Sequence, residues 1–220
     1  MDIIEAIKER RSIRAFRNDP IDKKIIEKIL ELALKSPSFQ NSQPWEVIVV
    51  SGKKKDGLSQ ILYKMAEREA PKNPDLPLPV SFPEDISKRV DEHNLRRYRL
   101  LGIGAEEVQK KRELRLRNYL FFEAPVIIFL VQDKSLPLWS IFDMGLFSQT
   151  LMLASLNFGI YSCPQASVVY YPDEIRKFLD IPENKRIVIG ISLGYPDWDA
   201  IINQYRSFRV DLSEIVRWVD

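Results

Sequence analysis

The pentapeptide Arg10-Arg11-Ser12-Ile13-Arg14 lies near the start of the 220-residue chain and carries side chains suited to an anion. Its three guanidinium groups and one hydroxyl can bind a phosphate dianion through charge-assisted, forked hydrogen bonds. Cations at the end of a helix also stabilise the helix dipole without binding a ligand. Taken alone, the pentapeptide fits both interpretations.

Three later segments could form a ligand site together with this pentapeptide. Ser36–Trp45 links a helix to a strand with small and amide side chains, which can donate and accept hydrogen bonds around a planar heterocycle. Ser162–Ala166 follows a long helix and can direct a backbone N–H at a ring nitrogen. Asn203–Arg209 holds two more arginines that can complete a phosphate site. The alternatives are a capped polar loop around a core tryptophan, a plain turn, and solvated surface arginines.

The scarcity of cysteine and histidine excludes several classes of site. The single cysteine, Cys163, permits no intrachain disulfide, no Cys-x-x-Cys pair and no cysteine zinc site, and we expect no metal. His93, the single histidine, lies in a charged segment, where it is poorly placed for a catalytic triad. Gly102-Ile103-Gly104 lacks the third glycine of a dinucleotide fingerprint. A redox enzyme of this composition must therefore use a bound cofactor.

Charge and hydropathy narrow the class of protein further. The net charge is only +2, and the ten lysines and arginines in 88–117 alternate with glutamates, which is typical of a solvated helical face. Nucleic-acid binding by this segment is a weaker alternative, because it lacks interleaved aromatic residues and any known motif. The longest apolar run, 124–131, is the length of a strand, and the start lacks a secretory signal. We therefore expect a cytoplasmic protein without membrane or nucleic-acid partners.

The elements that must position these segments follow from periodicity and breakers. The predicted helices cover 2–10, 22–35, 54–69, 105–122, 139–158, 172–179 and 211–218. The predicted strands cover 45–51, 125–132 and 186–193, and a loop is expected around 163–169. The pattern predicts one α+β domain over 1–220. Five prolines between 71 and 83 favour an extended surface excursion within 67–104, acting as a lid or entrance.

In their order and spacing, the four segments resemble the FMN-dependent nitroreductase family over nearly the whole chain. The resemblance includes Arg-Arg-Ser-Ile-Arg at the opening helix, Ser42-Gln43-Pro44-Trp45 before the first strand, and Gly194-Tyr195-Pro196 after the last. It implies a nitroreductase-like fold, with a central, mainly antiparallel sheet flanked by helices. It also implies an intertwined homodimer that holds tightly bound FMN at the subunit interface.

The resemblance further implies roles for individual residues. Arg10, Ser12 and Arg14 would contact the FMN phosphate and the polar edge of the flavin, supported by Arg11. Arg206 and Arg209 would close the phosphate site. Residues of the partner chain would cover the flavin, namely Pro37, Ser38, Phe39 and Asn41, with Gln40 facing the substrate. Pro164, Gln165 and Ala166 would line the dimethylbenzene and N5 side of the flavin. Gln165 and Ala166 stand where many relatives have a glutamate-glycine pair.

The expected activity is hydride transfer from NAD(P)H, a transient co-substrate, to nitroaromatics, quinones or enones by a ping-pong mechanism. FMN carries the chemistry, so no catalytic acid, base or nucleophile is expected. Arg14 is the candidate for stabilising negative charge at N1 and C2=O of reduced flavin. Reductive dehalogenation or other specialised flavin chemistry on the same fold, and a non-catalytic flavin sensor or carrier, are the alternatives.

Overall fold

A four-stranded antiparallel sheet forms the centre of the computed structural model, which describes residues 2–219. The strands are β1 (Glu46–Ser51), β2 (Val126–Asp133), β3 (Tyr161–Gln165) and β4 (Lys185–Gly194). Their order across the sheet is β1-β2-β4-β3, and every pairing is antiparallel. The expected α+β class with a mainly antiparallel sheet is therefore confirmed.

Strand β2 is the centre of the core because it is apolar on both faces, as its sequence predicts. Ile127, Phe129 and Val131 pack into a cluster on one face of the sheet. Ile128 and Leu130 alternate with them and pack into a second cluster on the other face. Successive side chains of a strand point to opposite faces, so a strand buried on both faces must be apolar at nearly every position.

Helices cover both faces of the sheet. They are α1 (Ile3–Glu9), α2 (Lys23–Ala33), α3 (Gly52–Glu67), α4 (Glu84–Leu100), α5 (Val108–Leu116), α6 (Trp139–Leu156), α7 (Pro172–Leu179) and α8 (Leu212–Ile215). Asp2 and Asp22 cap α1 and α2 by accepting hydrogen bonds from backbone amides of the first turn. Gly159 follows α6 at a φ of 68°, the left-handed conformation that the sequence predicted for the end of this helix.

The prediction of a loop around Cys163–Val169 was wrong in its first part. Residues 161–165 form the edge strand β3, which pairs with β4 on one side. Pro164 lies inside this strand, and proline is tolerated only where the ladder does not need its missing N–H. The tertiary structure places β3 at the edge of the sheet, where a proline is compatible with a strand.

The 67–104 excursion contains a helix that was absent from the predicted elements, although the charges in 88–117 indicated a solvated helical face. Residues 68–83 are irregular as expected, but α4 begins directly after Pro83 and has no buried residue. Ion pairs at i,i+4 spacing run along it, between Lys88 and Glu84, Arg89 and Asp85, and Arg96 and Glu92. Such pairs stabilise a helix that lacks an apolar stripe.

The helix predicted over 105–122 is also shorter than expected. It starts at Val108 and ends at Leu116, and a 3₁₀ segment follows to Glu123. Phe121 and Phe122 have φ of 55° and 54°, which stops regular helix. Both rings are buried, so tertiary packing holds this conformation.

A buried arginine ties the excursion to the body of the protein. The Arg176 side chain is 3% exposed and forms an ion pair with Asp75, whose side chain is 10% exposed. Asp75 also accepts a 2.7 Å hydrogen bond from the backbone N–H of Ile187 in β4. Arg176 donates a further 2.9 Å bond to the carbonyl of Lys185. The irregular chain before α4 is thus fixed to α7 and β4.

Two further observations concern membrane-spanning helices and metal-binding clusters. Within residues 2–219 no helix is both long and apolar enough to cross a bilayer. In the same range no three histidine, cysteine or acidic side chains lie together in a way that could hold a metal ion.

Candidate functional site

The N-terminal pentapeptide runs beside β3, at the free edge of the sheet. Ser12 and Ser162 form an isolated parallel bridge, and the Ile13 N–H donates a 3.0 Å hydrogen bond to the Ser162 carbonyl. The Ile13 side chain is fully buried, in a cluster with Phe122 and Cys163. In extended backbone, neighbouring side chains point away from each other. Burial of Ile13 therefore turns Ser12 and Arg14 toward the opposite side.

Asn203 joins the C-terminal segment to this pentapeptide. Its side-chain oxygen accepts a 2.8 Å bond from the Arg14 N–H, and its amide donates 2.7 Å bonds to the carbonyls of Ala15 and Asp197. Asn203 is 2% exposed. A buried amide with its hydrogen bonds made fixes the path of both segments. Two regions almost 190 residues apart are thereby held together.

Four guanidinium groups gather around this junction. Burial lowers the pKa of Arg10, and the nearby Arg209 lowers it further. Burial also lowers the pKa of Arg97, on α4, and Arg14 adds to the effect. Like charges disfavour protonation of their neighbours, so these shifts record a concentration of positive charge. We call Arg10, Arg14, Arg97 and Arg209 the arginine cluster.

The arginine cluster has no acidic counterion among residues 2–219. None of its four members lies within ion-pair distance of a carboxylate there. The Nε of Arg97 is buried without a hydrogen-bond partner within the same residues. Arg10, Arg14 and Arg97 are partly buried, and unpaired charges in such a setting are costly unless an anion joins them. The cluster therefore has the properties of an anion-binding site.

His93 reports the same positive field. Burial lowers its pKa, followed by Arg97, Arg14 and Arg209. Its Nδ1 lies 3.0 Å from the hydroxyl of Tyr205, which ties α4 to the C-terminal segment. A neutral His93 imidazole adds no charge to the arginine cluster. Through its hydrogen bond with Tyr205, His93 positions α4.

A recess of about 100 Å³ opens beside the cluster. Arg14 and Arg97 line it together with Cys163 and Pro164 of β3 and Asn118 after α5. Burial raises the pKa of the Cys163 thiol, so it stays protonated and is a poor nucleophile. The recess therefore offers fixed cations and backbone, and no activated protein nucleophile.

Arg11 and Arg206 form a second group, apart from the arginine cluster. Arg11 lies over the ring of Trp198, 4.6 Å from its centroid. Arg206 pairs with the carboxylate of Glu9 at 3.0 Å. Burial, followed by Arg206, lowers the pKa of Arg11. Of the six expected phosphate-site residues, Arg10, Ser12, Arg14 and Arg209 thus meet at one place, and Arg11 and Arg206 meet beside it.

Gln165 directs its side chain into the body of the protein. Its amide donates a 3.0 Å bond to the Asn118 carbonyl, and its oxygen accepts a 2.5 Å bond from the Ser192 hydroxyl. The residue is 3% exposed, while Ala166 is exposed. Only the backbone of Gln165 is left to meet a ligand at this edge. A glutamine here holds β3 to the segment that follows α5.

The expected partner-chain segment, residues 37–41, is an exposed loop packed on α6. Asp143, a buried carboxylate of α6, accepts hydrogen bonds of 3.2 and 3.3 Å from the Phe39 N–H. Gln40 and Asn41 have φ of 50° and 56°, and the Phe39 ring is 67% exposed. No hydrogen bond within 2–219 joins this loop to the arginine cluster of its own protomer. The loop presents an apolar ring outward.

Three residues of this region were missed from the sequence. Arg97 lies in the charged segment that was interpreted as a solvated face. The sequence of this segment does not indicate that the Arg97 side chain turns inward from α4. Asn203 begins the motif that was assigned only through its arginines. Asp143 is the single acidic residue in the apolar helix α6, and a charge in such a setting is a signal that points to a fixed hydrogen-bonding role.

The amino-acid sequence of the chain is similar to those of known proteins. The profile of the Nitroreductase family matches residues 7–195. Nitroreductase NfnB of Mycolicibacterium smegmatis is 36% identical over 213 residues, which are 96% of this chain and 90% of the relative. A 4-nitrobenzoate reductase of Pseudomonas putida is 33% identical, over 93% of this chain and 90% of the relative.

Solved structures agree with this result. FMN-dependent NfnB from Mycobacterium smegmatis, in complex with NADPH, superposes with a TM-score of 0.93 at 35% identity, covering 100% of both chains. FMN- and NADPH-dependent NfnB from Sphingopyxis sp. strain HMH gives a TM-score of 0.95 at 27% identity, again over 100% of both chains.

Proposed function

The chain belongs to the nitroreductase family, and we propose that it transfers reducing equivalents from NADPH or NADH, through bound FMN, to small nitroaromatic acceptors. The arginine cluster is the observation that carries the proposal, because it offers an anion site without a protein counterion. The relatives matched at 33–36% identity are nitroreductases, so reductive dehalogenation is not the function proposed.

The residues present fit a phosphorylated flavin. A phosphate dianion supplies the negative charge that the arginine cluster lacks, and guanidinium groups bind it through forked hydrogen bonds. At the neighbouring edge of the sheet, Pro164 of β3 and the exposed Ala166 that follows the strand offer a weakly polar surface suited to an aromatic ring system. Cation and apolar edge lie next to each other, as a ligand with a charged tail and a planar ring requires.

Individual residues then take distinct parts. Arg10 and Arg209 would hold the phosphate, and Ser12 would donate to it or to the flavin edge. Arg14 and Arg97 would supply fixed positive charge beside the ring system, which favours negative charge there without reorganisation. Arg11 and Arg206 contribute less, because Trp198 and Glu9 already engage them.

When bound, FMN supplies the hydride chemistry, so the protein needs no acid, base or nucleophile of its own. In each cycle one nitro group, the hydride from the donor and one proton from solvent give a nitroso product and water. Donor and acceptor use the same space in turn, which gives ping-pong kinetics. The protein binds, orients and stabilises charge.

We expect the purified protein to be yellow, to release FMN on denaturation, and to oxidise NADPH or NADH when nitrobenzene is supplied. The measurement is the loss of reduced-nicotinamide absorbance with and without the acceptor. Colourless protein that takes up no supplied FMN would contradict the cofactor assignment. Flavin reduction without turnover of any acceptor would indicate a carrier instead of an enzyme.

Exposed apolar side chains support a homodimer with the site between its subunits. Ile3, Ile4 and Ile7 of α1 face outward, and Trp139 at the start of α6 is 75% exposed. A mostly apolar groove of about 500 Å³ lies where α1, α2 and α6 meet. Near the C-terminus Trp218 is 81% exposed. Apolar surface on this scale marks a protein interface, and we propose a second copy of the chain as its occupant.

In this dimer the exposed loop of one protomer covers the flavin of the other. The covering residues would be Pro37, Ser38, Phe39 and Asn41 of the partner subunit, and Gln40 of the partner subunit would face the substrate. Asp143 serves the arrangement by holding the loop backbone. A second aromatic surface over the flavin excludes water from the site.

We expect the protein to elute as a dimer, with twice the mass of one chain. The Trp139→Asp/Phe142→Asp variant, which changes two exposed aromatic residues of α6, should shift toward monomer and lose FMN together. A charge placed in an apolar interface is costly to bury. Light scattering after size exclusion gives the mass, and absorbance gives the FMN content. Val80→Asp, at a fully exposed position in the excursion, is the matched control. A wild-type monomer that retains FMN would exclude a shared site.

The excursion and the location of the protein complete the proposal. We propose that residues 67–104 form the entrance to the site, because α4 carries Arg97 to the arginine cluster. A cytoplasmic location is also proposed, and fractionation of cells expressing the protein tests it.

A further inference from the structure

A larger cavity, of about 490 Å³, lies beside the recess of the arginine cluster. The end of α3, helix α5 and residues 167–171 surround it. Its volume is within the range typical of small-molecule sites, roughly 300–1,000 Å³. Three tyrosines line it, so we call it the tyrosine pocket. Its remaining polar lining is Glu69, Lys72, Arg112, Arg115, Asn118 and Ser167.

The charge of the tyrosine pocket favours an anion. The lining holds three cations, Lys72, Arg112 and Arg115, and one carboxylate. That carboxylate, of Glu69, lies 3.7 Å from the Arg112 Nε. Lys72 lies over the ring of Tyr170, 5.0 Å from its centroid. Arg115 has no ion-pair partner within residues 2–219. One guanidinium is therefore left for a ligand.

The aromatic walls favour a ring attached to that anion. Tyr119 and Tyr171 are buried, with ring centroids 5.9 Å apart. Burial raises the pKa of both phenols, so their hydroxyls stay protonated. They add no negative charge. The Tyr119 hydroxyl donates to Tyr171, so the Tyr171 hydroxyl keeps its own proton for a carboxylate. Tyrosine rings also pack favourably against an aromatic ligand.

The tyrosine pocket adjoins the recess beside the arginine cluster. Arg115 and Asn118 line both. The Asn118 carbonyl also accepts the amide of Gln165, at the end of β3. A ligand in the tyrosine pocket thus lies next to the β3 edge, where the flavin is proposed to bind.

We propose that the tyrosine pocket binds the carboxylate of aromatic acids and so directs nitro-substituted aromatic acids to the flavin. This inference rests on the proposed function for its role in catalysis. The binding site itself is defined by the cavity, the unpaired Arg115 and the tyrosine walls.

The first experiment measures binding without turnover. Calorimetric titration of the flavin-loaded protein compares benzoate with benzamide, which has the same ring and no charge. We expect benzoate to bind about tenfold more tightly, as a charge-assisted hydrogen bond provides, and Arg115→Gln to remove this preference. Lys110→Gln, which removes another exposed cation of the same helix that does not line the pocket, should retain it. Equal affinities for the two ligands in wild type would overturn the proposal.

The second experiment measures selectivity in turnover. We expect Arg115→Gln to lower kcat/KM for 4-nitrobenzoate about tenfold relative to kcat/KM for nitrobenzene in the same variant. Equal losses for both acceptors would overturn the carboxylate assignment. If neither acceptor is reduced by wild type while benzoate still binds through Arg115, the proposed function fails and the site stands.

A third titration separates the aromatic acid from the nucleotide donor. Adenosine 2′-phosphate carries the phosphate that distinguishes NADPH from NADH. If it binds through Arg115 and benzoate does not bind, the pocket serves the donor and the proposal is overturned. Benzoate binding that depends on Arg115, with no measurable effect of this variant on adenosine 2′-phosphate, supports it.

Discussion

Replacing both Arg10 and Arg209 with alanine is expected to leave a folded protein that is isolated largely without FMN. In the proposed site each arginine supplies a charge-assisted contact to the phosphate, so loss of one should raise the Kd for FMN about tenfold to a hundredfold. The double variant should therefore bind FMN about a hundredfold or more weakly. Fluorescence titration of the apoprotein with FMN measures the Kd. Riboflavin, which lacks the phosphate, should bind wild type and variant alike.

The control for this result is Lys8→Ala, which removes an exposed cation from α1, the helix that ends directly before Arg10. Circular dichroism verifies that each variant is folded. The Arg10 and Arg209 side chains repel each other in the protein without FMN. Each single variant should relieve some of this repulsion, whereas the double variant separates this effect from phosphate binding. An FMN affinity that is unchanged in the double variant would exclude both residues from the site.

Replacing Arg176 with alanine is expected to lower the free energy of unfolding by about 3–5 kcal/mol, the cost of leaving one partner of a buried ion pair alone. Asp75 would lose its cation while still accepting the Ile187 N–H, and the Lys185 carbonyl would lose a donor. Urea denaturation at a fixed protein concentration measures the effect as a fall in the midpoint.

The matched control is Arg17→Ala, which removes an exposed ion pair with Asp19. Surface pairs contribute only about 0–1 kcal/mol, so this variant should behave nearly as wild type. The double variant Arg176→Met/Asp75→Leu should recover much of the loss, because it removes both buried charges together. If Arg176→Ala is no less stable than Arg17→Ala, the pair does not hold the excursion to the body.

The elements that the sequence predicted correctly are those with a strong local pattern. Strand β2 was found from its unbroken apolar run, and α2 from its capping Asp22 and its periodic isoleucines. Such patterns report which faces an element must bury, whatever its neighbours are. The motif order also led to the family, which the comparisons confirm.

The elements that were missed depend on distant contacts. Strand β3 contains Pro164 and gains its partners only from β4 and from Ser12. Helix α4 has no buried side chain, and its docking depends on His93 meeting Tyr205. No local window of sequence contains these partners.

The amino-acid composition and order show which chemistry is available: cations lie near both termini, and with one cysteine and one histidine, redox chemistry requires a bound cofactor. Which of the cations act together depends on the fold. Arg97 joins Arg14, while Arg206 is neutralised by Glu9. The physical reason is that electrostatic interaction falls with distance and rises as water is excluded, and both are set by packing between segments far apart in the chain.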